Sequence, residues 1–132
     1  MGLNGTTLPA DKDVAVQRWG GKWRMPTKTE WNEIDSRCDW VWQGSGYRVF
    51  KRGSANINES IFLPVTGFKS TNSSGVTTTY NQTSCQYWSG DINGYYGAHE
   101  QEAACFKGDD TTKGVFNSYR EYGLCVRPVI KD

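Results

Sequence analysis

Hydrophobic residues follow two different spacings along the chain, and the spacing changes near Cys38. Up to that point Trp31, Ile34 and Cys38 lie three and four positions apart, which places their side chains on one face of a helix. Thr27, followed three residues later by a glutamate, has the signature of a capping box. A helix is therefore predicted over about residues 28–37. Cys38 is expected to be buried and unpaired at the end of the stripe, where a thiol behaves as a small hydrophobe.

A shorter helix is predicted upstream, in the stretch DKDVAVQRWGG. Asp11 or Asp13 is suited to cap its first turn, and the pair Gly20–Gly21 ends it. Two helices are thus expected before residue 40.

Beyond Cys38, apolar residues alternate with polar ones or form short runs, which is typical of strands. Three strands are predicted in DWVWQ, GYRVFKR and SIFLPVTGF. Residues 69–84 are almost wholly polar and are predicted to form one long loop. Three further strands are predicted at about residues 85–89, 102–107 and 123–129, joined by long connections over 90–101 and 108–122.

Helices followed by antiparallel strands indicate an α+β fold with a small twisted sheet and long loops. The 132 residues are enough for one domain, which we assign to residues 1–132. Long irregular loops on a rigid scaffold are usually where function lies.

Aromatic residues make up 14% of the chain, including six tryptophans and seven tyrosines. Such rings bury large areas, so a few of them suffice for a core and others remain for binding. Five tryptophans in the predicted elements are expected in the core or framework: Trp19, Trp23, Trp31, Trp40 and Trp42. Tyr95 and Tyr96 stand between glycines in a loop, a setting that favours surface recognition.

The charge pattern argues against two classes of partner. The formal net charge is +1, from 15 basic and 14 acidic residues, and there is no basic block, so nucleic acid is not expected as a ligand. No apolar run approaches 18 residues, so membrane insertion is not expected. The start MGLNGTTLPADKD lacks the parts of a signal peptide, which fits a virion component or a domain cut from a longer chain.

The four cysteines, Cys38, Cys85, Cys105 and Cys125, form no CxxC pair, and His99 is the only histidine. No metal site, cofactor or catalytic constellation is expected from this set. Any disulfide is expected to join two of the last three cysteines, and the sequence leaves open which two.

Several motifs occur together in one order: WGGKWRMPTKTEWNEI, WVW just after Cys38, GYRVF, SIFLPVTGF, YWSG and YGLCVRPV. With them the chain resembles the Fibrobacter succinogenes major paralogous domain, found in surface and lipoprotein sequences of Bacteroidetes, over about residues 10–129. The resemblance implies a C-type lectin-like fold of the formylglycine-generating-enzyme type. It also implies a binding module with a stable frame and a changeable C-terminal face, as in the variable phage tail and surface proteins of diversity-generating retroelements.

The chain departs from this pattern at GDINGYYGAHEQ and at GLCVRPV, in the region assigned to ligand contact. Within the predicted strands, Trp88, Phe106 and Val126 are expected in the core, and Tyr87, Cys105, Lys107 and Cys125 on an outward face. The loop Asp91–Glu100 and residues 109–122 are expected to form one exposed surface anchored by Tyr95, Tyr96 and Tyr119. The full set of expected ligand-binding residues is Tyr87, Asp91, Asn93, Tyr95, Tyr96, His99, Ala103, Cys105, Lys107, Asn117, Ser118, Tyr119, Tyr122 and Leu124.

Three functions remain open at this stage. The favoured one is a non-enzymatic module that binds a protein or glycan on a cell surface, at an extracellular, cell-surface or virion location, in an unspecified oligomeric state. The second is a structural domain of a surface lipoprotein or pilus without its own ligand. The third is a formylglycine-generating-like enzyme, which is disfavoured because the cysteines lack the expected motif. Several terminal residues, including Ala103, Ser118 and Tyr119, are reachable by adenine-directed mutation of Asn codons, which motivates the retroelement hypothesis.

Overall fold

The computed structural model describes residues 8–91 and 102–130. They form a small mixed α/β domain in which antiparallel sheets predominate and helices are few. Helix α1 spans Val14–Trp19, helix α2 spans Lys28–Arg37, and a 3-10 turn spans Ile57–Glu59. Both predicted helices are confirmed.

Helix α1 begins where Asp13 caps it. The Asp13 carboxylate accepts a hydrogen bond from the Ala15 amide at 2.8 Å, and Gly20 ends the helix at a positive φ of 94°. The other carboxylate oxygen accepts from the Met25 amide at 3.0 Å, so the buried Asp13 also ties the helix to the next strand.

Helix α2 begins with the predicted capping box. Thr27 Oγ1 accepts from the Glu30 amide at 3.1 Å, while the Glu30 carboxylate accepts from the Thr27 amide at 2.9 Å. Glu30 also pairs in bidentate fashion with Arg24, at 2.5 and 2.8 Å. The hydrogen bond from Arg24, opposed by partial burial and reinforced by Thr27, lowers the pKa of Glu30 to about 2.

This cap predicts an acid-dependent loss of stability. A carboxyl whose folded pKa is depressed stabilises the fold above its unfolded pKa of about 4.5, and that contribution disappears as the pH falls towards 2. We expect Glu30→Gln to unfold at lower urea concentration than the unmodified chain at neutral pH. The difference should shrink progressively below pH 4.5. Urea titrations across this pH range test this, and a difference that stays constant down to pH 2 would contradict it.

The strands form four antiparallel groups within the described residues. The strands are β1 (Trp23–Arg24), β2 (Cys38–Trp42), β3 (Gly46–Lys51), β4 (Ser60–Pro64), β5 (Phe68–Thr71), β6 (Thr77–Tyr80), β7 (Cys85–Trp88), β8 (Glu102–Gly108), β9 (Lys113–Tyr119) and β10 (Val129–Ile130). Strand β1 pairs with β10, β2–β3–β4 form a meander, β5 pairs with β6, and β7–β8–β9 form a second meander.

The prediction of one loop over residues 69–84 is wrong, because this stretch contains most of the β5–β6 hairpin. Asn72 Oδ1 accepts from the Ser74 and Val76 amides at 2.9 and 3.0 Å and shapes the turn. Thr71 and Thr77 pair across the strands at 2.7 Å between hydroxyl oxygens. Threonine is β-branched and favours strands even in an exposed, polar sequence.

Strand β9 was also not predicted, because residues 108–122 were assigned to a loop. Asp109 Oδ1 accepts from the Thr111 and Thr112 amides, both at 2.9 Å, and so makes a short β8–β9 turn. The predicted strand over 123–129 is largely wrong as well. That segment makes isolated bridges, Gly123 with Lys69 and Cys125 with Tyr87, before the short β10.

The core lies between α2 and the two meanders. Its buried residues are Trp31, Tyr47, Val49, Leu63, Cys85, Tyr87 and Phe106. Trp31 stacks on Phe106 with ring centroids 4.8 Å apart, and Trp40 stacks on the same ring at 5.1 Å. The core is therefore built mainly from aromatic rings, as the composition predicted.

Two core predictions need correction. Trp19 is 53% exposed, because α1 is short and buries only Ala15. Cys38 is half-buried, since it opens the edge strand β2 opposite the exposed Lys51. The four cysteines all fall in the described part of the chain, and each is a free thiol.

No helix in residues 8–91 or 102–130 is long and apolar enough to cross a membrane. In the same ranges, no group of three or more His, Cys, Asp or Glu side chains is arranged to hold a metal ion.

Candidate functional site

The register of β7 and β8 decides which side chains face the core. Tyr87 pairs with Phe106, and such cross-strand partners share one face of a sheet. Both rings pack against Trp31, with Tyr87 at 5.9 Å between centroids. The Tyr87 hydroxyl donates to the Pro64 carbonyl at 2.8 Å, and burial raises the pKa of Tyr87. Tyr87 was predicted on an outward face, and this placement is wrong, while its ligand contact stays a prediction.

The opposite side of the β7–β8–β9 meander is called the outer face here. By register it carries Gln86, Trp88, Ala103, Cys105, Lys107, Phe116 and Ser118. Trp88 pairs with Cys105 and is half-buried on this face. It was predicted in the core beside Phe106, and this placement is wrong because Phe106 lies on the other face. Val126 is half-buried, outside the buried core cluster.

Two predicted contact residues on the outer face are buried. Cys105 is fully buried, and Ser118 is 5% exposed. The Cys105 thiol donates to the Ser118 hydroxyl at 3.6 Å, and burial raises the pKa of the thiol. Both side chains are buried in the sheet, so the outward exposure expected for Cys105 is wrong, while ligand contact by either residue stays a prediction.

Lys107 lies on the outer face as predicted, in the wall of a groove. The groove has a volume of about 370 Å³, and its wall includes Asn81, Ser84, Gln86, Lys107, Asp109 and Phe116. Lys107 is half-buried, and its Nζ donates to the Asn117 carbonyl at 3.1 Å. The adjacent strand places Gln86 directly opposite Lys107.

A row of aromatic side chains lies outside the core. Tyr80 stacks on Phe68 at 5.4 Å between centroids, Phe68 on Tyr122 at 4.5 Å, and Tyr122 meets Tyr119 edge-on at 5.4 Å. We call these four residues the aromatic row. Tyr80 is 47% and Tyr119 44% exposed. The row and the groove are adjacent in sequence, because Tyr80 of the row is followed directly by Asn81 of the groove wall.

Asp91 is buried and makes hydrogen bonds that support the fold. It is 5% exposed, and its Oδ2 accepts from the Lys28 amide at 2.6 Å at the start of α2. The Asp91 amide donates to Ser89 Oγ at 3.1 Å. The buried carboxylate therefore joins the end of β7 to α2, so the expected exposure of Asp91 is wrong, while its ligand contact stays a prediction.

Asp91 and Ala103 line a second depression of about 380 Å³, together with Leu8, Met25 and Trp88. Ala103 is half-buried there.

The remaining predicted residues lie in different places. Asn117 pairs with Ala104, on the core side of the meander, and is half-buried. Leu124 is half-buried between the bridges of Gly123 and Cys125. Asn93, Tyr95, Tyr96 and His99 lie outside the described residues, as does most of the predicted loop Asp91–Glu100.

Several residues of the groove and the row escaped prediction, among them Gln86, Phe116, Phe68 and Tyr80. A signal for Phe116 was present, because KGVFNSY alternates with period two. Gln86 and Phe116 come onto one face only through the pairing of both strands with β8, which the sequence does not specify.

The groove places the Phe116 ring beside polar side chains, and the aromatic row carries partly exposed tyrosines. No family model matches this chain, and no curated protein or solved structure is significantly similar to it.

Proposed function

We propose that the chain is a ligand-binding module of the C-type lectin-like type that recognises a protein or glycan on a cell surface. Its recognition surface consists of the groove and the aromatic row. The observation that carries the proposal is the row itself, because four rings contact one another in succession outside a core that already contains its own aromatic cluster. Partly exposed tyrosines offer a large, rigid contact area at small entropic cost.

The framework supports the proposal through its element order and its packing. The helices come first and the meanders follow, the order that the resemblance implies for such a module. The β7–β8–β9 meander is fixed on one side by Trp31 and Phe106, while Phe116 and Lys107 remain partly accessible on the outer face. A phage tail or a bacterial surface protein is the context we favour, and a reverse transcriptase gene beside this one would support a retroelement origin of the variable face.

Binding to intact cells tests this function. We expect the fluorescently labelled chain to bind at least one member of a panel of bacterial cells in flow cytometry. Tyr119→Ala/Tyr122→Ala should weaken that binding by about 30-fold, since truncating aromatic hot spots costs about 2 kcal/mol or more. Trp19→Ala, which removes an exposed ring far from the row in the chain, is the control and should bind normally.

Thermal denaturation of each variant separates binding from folding. Should the double variant unfold, Tyr80→Ala replaces it, because Tyr80 is 47% exposed and ends its strand. Unchanged binding by a folded row variant would refute the proposed surface. The absence of binding to any cell by the unmodified chain would favour the structural-domain alternative.

A further inference from the structure

The groove beside the aromatic row has the chemistry of a carbohydrate subsite. We propose that it binds one neutral pyranose, with a sugar hydroxyl donating to the Gln86 amide oxygen and the apolar sugar face packed on the Phe116 ring. This inference rests on the proposed function and specifies its ligand class.

Gln86 supplies the strongest observation. Its side chain is 3% exposed and lines the groove, and its Oε1 has no hydrogen-bond partner, while Nε2 donates to Ser84 Oγ at 2.9 Å. Buried polar atoms are almost always paired, and an unpaired one destabilises the fold. A buried acceptor left unpaired in a residue that lines the groove therefore points to a ligand that brings a donor, as a sugar hydroxyl does.

Lys107 and Asp109 set the charge of the groove. The Lys107 ammonium has three donors and uses one on the Asn117 carbonyl, which leaves donors for ligand oxygens. The hydrogen bonds from Thr112 and Thr111 lower the pKa of Asp109, so this carboxylate is ionised at neutral pH. One positive and one negative group in the same groove favour a neutral ligand over a phosphate or sulfate.

Phe116 supplies the apolar part. Its ring is 44% exposed and forms part of the groove wall. The negative face of an aromatic ring attracts the weakly positive hydrogens of C–H bonds, and a pyranose carries several such hydrogens on one of its faces. The groove volume of about 370 Å³ lies in the range of small-ligand sites and admits a monosaccharide.

Saturation-transfer NMR on the 132-residue chain tests the subsite. The probes are D-glucose, D-galactose, D-mannose and N-acetyl-D-glucosamine, each added separately. We expect transfer to at least one of them, strongest at its ring C–H protons. Phe116→Ala and Gln86→Met should each weaken binding of that sugar by about tenfold or more, whereas Phe116→Tyr, which keeps the ring, and Trp19→Ala should not.

The outcomes distinguish the carbohydrate subsite from the proposed recognition of a cell surface. Transfer to none of the four sugars, or transfer unaffected in folded Phe116→Ala and Gln86→Met, overturns the carbohydrate subsite. If cell binding then still depends on Tyr119 and Tyr122, the recognition function stands without it, and loss of binding after protease treatment of the cells identifies a protein ligand. Absence of both sugar transfer and cell binding overturns both proposals.

Discussion

Replacing Trp31 by alanine should lower the free energy of unfolding by about 3–5 kcal/mol, a large part of the 5–15 kcal/mol that stabilises a typical domain. Trp31 is 1% exposed and stacks on Phe106, 4.8 Å away between centroids. Its indole Nε1 also donates to the Trp88 carbonyl at 3.4 Å. Truncation removes the packing between α2 and the β7–β8–β9 meander and leaves a cavity that neighbouring rings fill poorly.

Trp19→Ala is the matched control, because it removes the same side chain from a site that is 53% exposed. Its effect should stay within about 0.5 kcal/mol. Urea denaturation followed by far-UV circular dichroism measures both, since that signal does not depend on which tryptophan remains. Equal losses in the two variants would show that Trp31 is not the centre of the core.

Local signals explain why the helices could be predicted. The Thr27 capping box, the Asp13 cap and the Gly20 end each depend on residues within a few positions of one another. Strand faces differ, because they depend on which residues of distant strands meet. Alternation in CQYWSG correctly separated Tyr87 from Trp88, but only the register with β8 shows that Tyr87 faces the core.

The candidate site also combines residues that local patterns predict with residues that only the pairing of distant strands brings together. Alternation along the strand is enough to predict Lys107 on an outward face, and the composition of residues 109–122 is enough to single out Tyr119 and Tyr122, whose rings meet in the structure. Phe68 and Tyr80 join that row only because the β5–β6 hairpin forms in a stretch too polar to be recognised as strands. The groove depends on Gln86 meeting Lys107 across two strands, a pairing with no local sequence signal.

Gly67 fixes the position of that hairpin, and Gly67→Ala should cost about 2–4 kcal/mol of unfolding free energy. The residue is buried with a positive φ of 61°, and its amide donates to the Ser84 carbonyl at 2.9 Å. An added Cβ would come 3.1 Å from the carbonyl carbon of Asn81 and closer still to the carbonyl oxygen of Tyr80. Both are backbone atoms, so relief requires β6 to move.

Gly75→Ala separates the two sources of this cost. Gly75 has a comparable φ of 80°, but an added Cβ there meets nothing within 4 Å, so only the left-handed backbone is penalised, by about 1–2 kcal/mol. Urea denaturation should rank Gly67→Ala well below Gly75→Ala in stability. Because Phe68 and Tyr80 flank the blocked contact, Gly67→Ala should also weaken cell binding, while Gly75→Ala should not. If the two variants are equally stable, the close approach of Gly67 to β6 carries no cost of its own, and the packing assigned to Gly67 is wrong.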